Sequence, residues 1–167
     1  MDSESRLYAD LTDLGIAHQV YEHEAVFTVE ESAALHDEIP GVHVKNLFLK
    51  DAGGCFWLVT VPAEKRVALK ALPEAIGCKR VSFGNADDMT RLLGVTPGSV
   101  TPVAAINDAG CAVTVVLDAA LADAPLVNVH PLRNTASMAL SSEGLLRALG
   151  RWKHEPLIAE IPAMEMA

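Results

Sequence analysis

His43-Val44-Lys45-Asn46-Leu47-Phe48-Leu49-Lys50-Asp51, followed by Ala52-Gly53-Gly54, is the stretch on which the reading of this chain turns. Its β-branched and aromatic content and the glycine break after it predict a strand entering a hairpin turn. The expected partner is Cys55 to Val61, apolar on both faces, so residues 44–50 should pair with 55–61 and the second strand should be covered on both sides before Pro62 ends it. Side chains alternate along a strand, which puts Lys45 on one face with Leu47 and Leu49, and Asn46 on the other with Phe48 and Lys50. One of those faces is expected to be core. Two readings of Lys45 are open: an ammonium at the rim of an apolar surface, seeking an anion, or a lysine at the strand start that snorkels to water.

Working outward, Leu7, Leu11 and Leu14 recur at helical spacing within Ser3 to Leu14, and Gly15 closes that helix. Ile16 to Tyr21 reads as a strand. Thr28-Val29-Glu30-Glu31 matches a capping box for a short helix over 29–37, which is either a lid over a site near Lys45 or a plain surface helix. Beyond the hairpin, Ala63 to Leu72 reads as a basic amphipathic helix ended by Pro73, Lys79 to Phe83 as a strand, and Asn85 as the cap of a helix running to Gly94. Ala104 to Ile106 and Ala112 to Leu117 read as a second hairpin around Asn107-Asp108-Ala109-Gly110, and Asp118 starts a helical turn. Ser141 caps a last helix to Gly150, and Arg151-Trp152-Lys153-His154 leads into a C-terminal strand or tail.

Two other stretches stand out. Gly94-Val95-Thr96-Pro97-Gly98-Ser99-Val100-Thr101-Pro102 fixes an irregular backbone that can aim main-chain N–H groups at one point, although most such loops simply turn the chain. Asn128 and His130, in Leu126 to Thr135, share a face near a strand end where Pro131 stops ladder pairing. They read as a site or as a surface-facing edge.

The composition narrows the function. The 167 residues suit one domain spanning 1–167, with no run long enough to cross a membrane and no basic, apolar leader, so a cytoplasmic location without membrane partners is expected. Three scattered cysteines make neither a disulfide framework nor a zinc knuckle, and six histidines lack His-x-x-x-His spacing, so neither metal nor cofactor is expected. A net charge of −9 argues against nonspecific coating of a polyanion, yet from Lys45 to Arg80 seven basic residues face three acids. That basic middle suits a discrete anionic ligand. No Gly-x-Ser-x-Gly elbow is present, so any hydrolysis must act on an already labile bond, with Lys45 and loop amides as the charged and polar helpers.

Lys45 to Asp51, Trp57-Leu58-Val59, Pro62-Ala63, Gly94 to Pro102 and Asn128 to Asn134 together resemble the free-standing relatives of the prolyl-tRNA synthetase editing domain, the YbaK/ProRS-associated superfamily, in its ProXp-ala type. The resemblance runs in order over roughly 5 to 160. It implies a compact mixed α/β (α+β) fold with a central mixed sheet and surrounding helices, and a trans-acting hydrolase that removes alanine from tRNA(Pro) without metal, cofactor or protein nucleophile. It further implies that Lys45 holds the substrate's terminal nucleotide, that Asn46 lines the site, and that the Gly-x-x-x-Pro turn, here Gly98-Ser99-Val100-Thr101-Pro102, contacts the adenosine and the reacting carbonyl. His130, with Asn128, is implied beside the aminoacyl group, and Leu35 of the covering helix and its capping Thr28 are further candidate substrate contacts. Candidate contacts to the acceptor stem are Lys50, Lys65, Arg66, Lys70, Lys79, Arg80, Arg151 and Lys153. A prolyl-tRNA synthetase or an elongation factor are the expected partners in hand-over. The alternatives are a deacylase for Cys- or Ser-charged tRNA and a noncatalytic tRNA- or protein-binding module on the same scaffold.

Overall fold

The computed structural model describes residues 2–25 and 39–164. The anticipated mixed α/β architecture with a central mixed sheet is what it contains. Helix α1 (Ser3–Asp13) starts where Asp2 accepts a hydrogen bond from the Ser5 amide, and it buries Leu7 and Leu11. Strands β1 (His18–Glu22), β2 (Val42–Asp51) and β3 (Phe56–Pro62) follow, then helix α2 (Leu72–Ile76) and strand β4 (Val81–Phe83). Helix α3 (Ala86–Leu93) is capped by Asn85 and closed by Gly94 in the left-handed region. After two 3₁₀ turns come β5 (Val113–Asp118), α4 (Ala119–Ala122), β6 (Val127–Val129), β7 (Ala136–Leu140), α5 (Ser142–Arg151) and β8 (Leu157–Ala159).

The sheet order is β1-β7-β6-β2-β3-β5-β8, with β4 also on β2. β2 pairs antiparallel with β3 and β4 and parallel with β6. The β2–β3 register is one residue away from the expected one: Lys45 opposes Val61 and Asn46 opposes Thr60. Both faces of β2 are core, where the sequence suggested one. Phe48 belongs to the large cluster with Leu58, Met138 and Leu145, whereas Leu49 joins Val59, Val61, Leu72 and Ile161 in a smaller cluster on the other side, against which Leu47 packs.

Two elements differ from expectation. Residues 63–71 form turns and an isolated bridge, Val67 to Ala163, instead of a basic helix. The only helix there begins at Leu72, with Pro73 in its first turn rather than at its end. Proline is preorganised for a first turn, where its missing N–H costs no intrahelical bond. Residues 104–106 are likewise no strand: Pro102–Asn107 is 3₁₀, buried at Pro102, Val103, Ala104, Ala105 and Ile106. The hairpin expected over 104–117 is therefore absent, and the second antiparallel pair of consecutive strands is β6 with β7. A proline start and small alanines suit a tight turn packed against α1, α3 and α5. The predicted capping box and helix over 29–37 lie outside the described residues.

Candidate active site

The long strand β2 is flanked on its outer edge by β6 at Val42 and His43 and by β4 at Leu49 to Asp51. Among the described residues no strand lies beside Val44 to Phe48 on that edge, which leaves a notch. Odd-numbered residues turn their main-chain groups toward β3, as the His43 carbonyl accepting from the Ala63 amide at 2.8 Å shows. Even-numbered residues turn theirs to the notch; the Phe48 carbonyl accepts from the Gly84 amide at 2.9 Å. Gly84 must be glycine here, because a Cβ would overlap the Phe48 ring.

Asn46 ties the notch to the glycine/proline turn. Its Nδ2 donates to the Val100 carbonyl at 3.0 Å, and its Oδ1 accepts from the Thr60 hydroxyl at 2.6 Å. The carbonyl of Val100 needs a donor, so the amide's orientation is fixed, and one Nδ2 hydrogen is left over. Thr60 is fully buried in an otherwise apolar strand, and the sequence reading passed over it. The lone hydroxyl in that strand was the available signal. The turn also passes close to the β6–β7 loop: a Cβ at Gly98 would sit 3.1 Å from Asn134 Nδ2. Ser99 is buried with its N–H spent on the Thr96 carbonyl at 2.9 Å, and Pro102 is buried at the start of the second 3₁₀ turn. Gly98 and Val100 are therefore the turn's candidates for donating to a ligand.

His130 lies just past β6, at the other end of the notch. Its Nδ1 faces the Ala136 carbonyl at 3.0 Å and must donate to it, so Nε2 carries the lone pair. Burial holds its pKa below the usual histidine value, and neighbouring His23 pushes the same way. His23, also missed from sequence, reaches the Ser137 hydroxyl at 2.9 Å through Nε2 and the Glu24 carbonyl at 2.7 Å through Nδ1. The loop after His130 is strapped down by Arg133. That guanidinium donates to both Glu4 oxygens at 3.0 Å and to the two Glu22 oxygens at 2.7 and 2.6 Å, which holds the Glu22 carboxyl below its ordinary range. Asn128, on β6 two residues before His130, is buried, and its amide donates to the Pro40 carbonyl at 3.0 Å.

Lys45 is half-buried on the Leu47 face and has no acidic partner among the described residues. The other cations divide. Lys50 is exposed and stands over the Phe56 ring at 5.5 Å, and Lys79 and Arg80 are exposed ahead of β4. Lys65 lies 2.6 Å from Asp118, and Arg151 pairs with Asp13 at 2.7 Å, so neither is available as a bare charge. Arg66 and Lys70 lie on the irregular segment before α2, and Lys153 follows α5. Thr28 and Leu35 fall outside the described residues.

Comparison with known proteins returns the same theme. The Aminoacyl-tRNA editing domain family matches residues 23–148. The chain is 37% identical over 146 residues to the Prolyl-tRNA editing protein ProX of Acetoanaerobium sticklandii, covering 87% of this chain and 89% of that one. It is 38% identical over 153 residues to the Prolyl-tRNA synthetase associated domain-containing protein 1 of Bos taurus, with 89% of each chain covered. Among solved structures, one described as a candidate trans-editing enzyme for prolyl tRNA synthetase superposes with a TM-score of 0.73 at 22% identity, covering 98% of this chain and 99% of that one. A hypothetical protein superposes with a TM-score of 0.73 at 25% identity over 96% and 99% of the two chains.

Proposed function

The chain belongs to the aminoacyl-tRNA editing domain family, and from that premise we infer that it is a trans-acting aminoacyl-tRNA hydrolase that clears alanine from tRNA(Pro). The observation that carries the reading is the Asn46 to Val100 hydrogen bond, which holds the strand bearing Lys45 against the Gly98–Pro102 turn. The same turn abuts Asn134, four residues beyond His130.

An aminoacyl ester at a ribose hydroxyl is labile, and the adjacent ribose hydroxyl can guide the attacking water. The protein then has to position groups and stabilise the tetrahedral oxyanion. Lys45 provides a fixed cation for the phosphate of the terminal nucleotide. The remaining Nδ2 hydrogen of Asn46 and the N–H groups of Gly98 and Val100 are the donors for the carbonyl oxygen. His130, held neutral by burial, offers Nε2 as an acceptor for the α-ammonium of the aminoacyl group. A small cavity rejects proline by size, while losing one methyl changes binding by only about 1–3 kcal/mol, so discrimination against glycine is the weaker one. The synthetase that makes the error is the natural source of the substrate.

The test is hydrolysis of tRNA(Pro) charged separately with alanine, cysteine, serine and proline. Alanine should be removed fastest and proline left in place. Preference for the cysteinyl or seryl ester would replace the alanine assignment, and release of none of them would leave only the noncatalytic module.

A further inference from the structure

Phe83 is the most exposed large hydrophobic side chain among the described residues, at 63% of its surface, and it belongs to neither core cluster. Its strand neighbour two positions back, Val81, does pack on the smaller cluster. The position of Phe83 is informative. It opposes Leu49 across the β2–β4 ladder, and opposed residues share a face, so the ring stands on the Lys45, Leu47 and Leu49 face. It immediately precedes Gly84, whose bond to the Phe48 carbonyl closes that end of the notch. Lys45 and Phe83 thus bracket the open stretch of β2, with the half-buried Leu47 between them. The strand carrying Phe83 is preceded by the exposed Lys79 and Arg80, within the basic part of an otherwise acidic chain.

We propose that Phe83 is a stacking platform for an unpaired nucleobase of the acceptor end, on the 5′ side of the terminal adenosine held at Lys45. The proposal rests on the editing reading and extends it by a subsite. An RNA strand leaving the notch along β2 carries its bases past this ring, and its phosphates past the cations before β4. Aromatic stacking accepts any base, so the subsite adds affinity without reading sequence. An apolar protein partner would need a wider patch, and the neighbouring lysine and arginine favour a polyanion.

Two substrates separate this role from a general defect: alanyl-tRNA(Pro), and 3′-alanyl-adenosine, which has no upstream base. Phe83→Leu should raise KM for the charged tRNA by about 5- to 150-fold with kcat retained, leave the alanyl-adenosine rate unchanged, and be rescued by Phe83→Trp. Equal losses on both substrates, or no loss on the tRNA, would overturn it. Binding of an uncharged CCA-ended oligonucleotide with 2-aminopurine next to the terminal adenosine gives an independent readout. Its fluorescence should be quenched by the wild-type chain and much less by Phe83→Leu, and equal quenching would refute the platform. Because that measurement needs no turnover, failure of the hydrolysis reading and failure of the stacking subsite are distinguishable.

Discussion

Lys45 lies within β2 and Lys65 three residues past the end of its partner β3, and the two have opposite surroundings. Lys65 is closed in: its ammonium is 2.6 Å from Asp118 Oδ2 and donates to the Ile161 carbonyl at 2.9 Å, at the edge of a cleft of about 440 Å3 that Glu160 also lines. The Asp118 oxygen lacks a well-directed hydrogen bond, so the ammonium acts on it as a point charge. Among the described residues Lys45, in the middle of a sheet, has no carboxylate partner, and no strand pairs with the outer edge of β2 beside it. A paired lysine is a structural part. An unpaired one is open to a substrate's negative charge, the role proposed above for Lys45.

This contrast can be broken by experiment. Lys45→Ala should cost about 10²–10³-fold in kcat/KM with an unchanged melting temperature, the loss expected for one electrostatic group at a reacting centre. Near-normal hydrolysis would put Lys45 in the same class as Lys65. Lys65→Ala should do the reverse, keeping turnover and lowering stability by about 3 kcal/mol in urea titration, because Asp118 is left buried and unpaired. Adding Asp118→Asn should recover part of that loss, and a catalytic defect in the stable double variant would erase the distinction.

His130 sharpens the comparison through pH. Its folded pKa is depressed, so its contribution to stability is intact above the ordinary histidine pKa of about 6.5 and is lost as pH falls through the lower folded value. Hydrolysis should accordingly stay level through the usual histidine range and decline only in more acidic buffer. His130→Gln should remove that acid limb; a limb centred at the ordinary value would contradict the buried, neutral imidazole. The smallest effect belongs to the exposed cations. Lys79→Ala should weaken tRNA binding slightly and reduce the slope of log affinity against log salt by about 1, whereas Arg151→Ala, already paired with Asp13, should leave the slope alone.

Much of the fold was legible because local rules carried it. The caps at Asn85 and Ser141, the left-handed glycines at 15 and 94 and the Gly53-Gly54 turn are short-range devices, and each stands where its residue type predicts. The errors came where tertiary packing overrode pattern. Lys65, Lys70 and the apolar residues between them have helical spacing, but Val67 and Leu69 pack on the smaller cluster and Val67 bridges to Ala163. Ala104 to Ile106 looks like half a hairpin, yet it is enclosed on the helix side of the core.

The sequence by itself determined the hairpin, the alternation that puts Lys45 and Asn46 on opposite faces, and the family to which these motifs point. The tertiary structure decided which polar groups are spent. A register one residue from the expected one sets Asn46 against Thr60 instead of Val59, and so fixes the amide that holds the Gly98–Pro102 turn. It also placed an acid beside Lys65 and, among the described residues, an edge without a strand partner beside Lys45. Register and charge pairing depend on contacts between residues far apart in the chain, and no window of neighbouring residues encodes them.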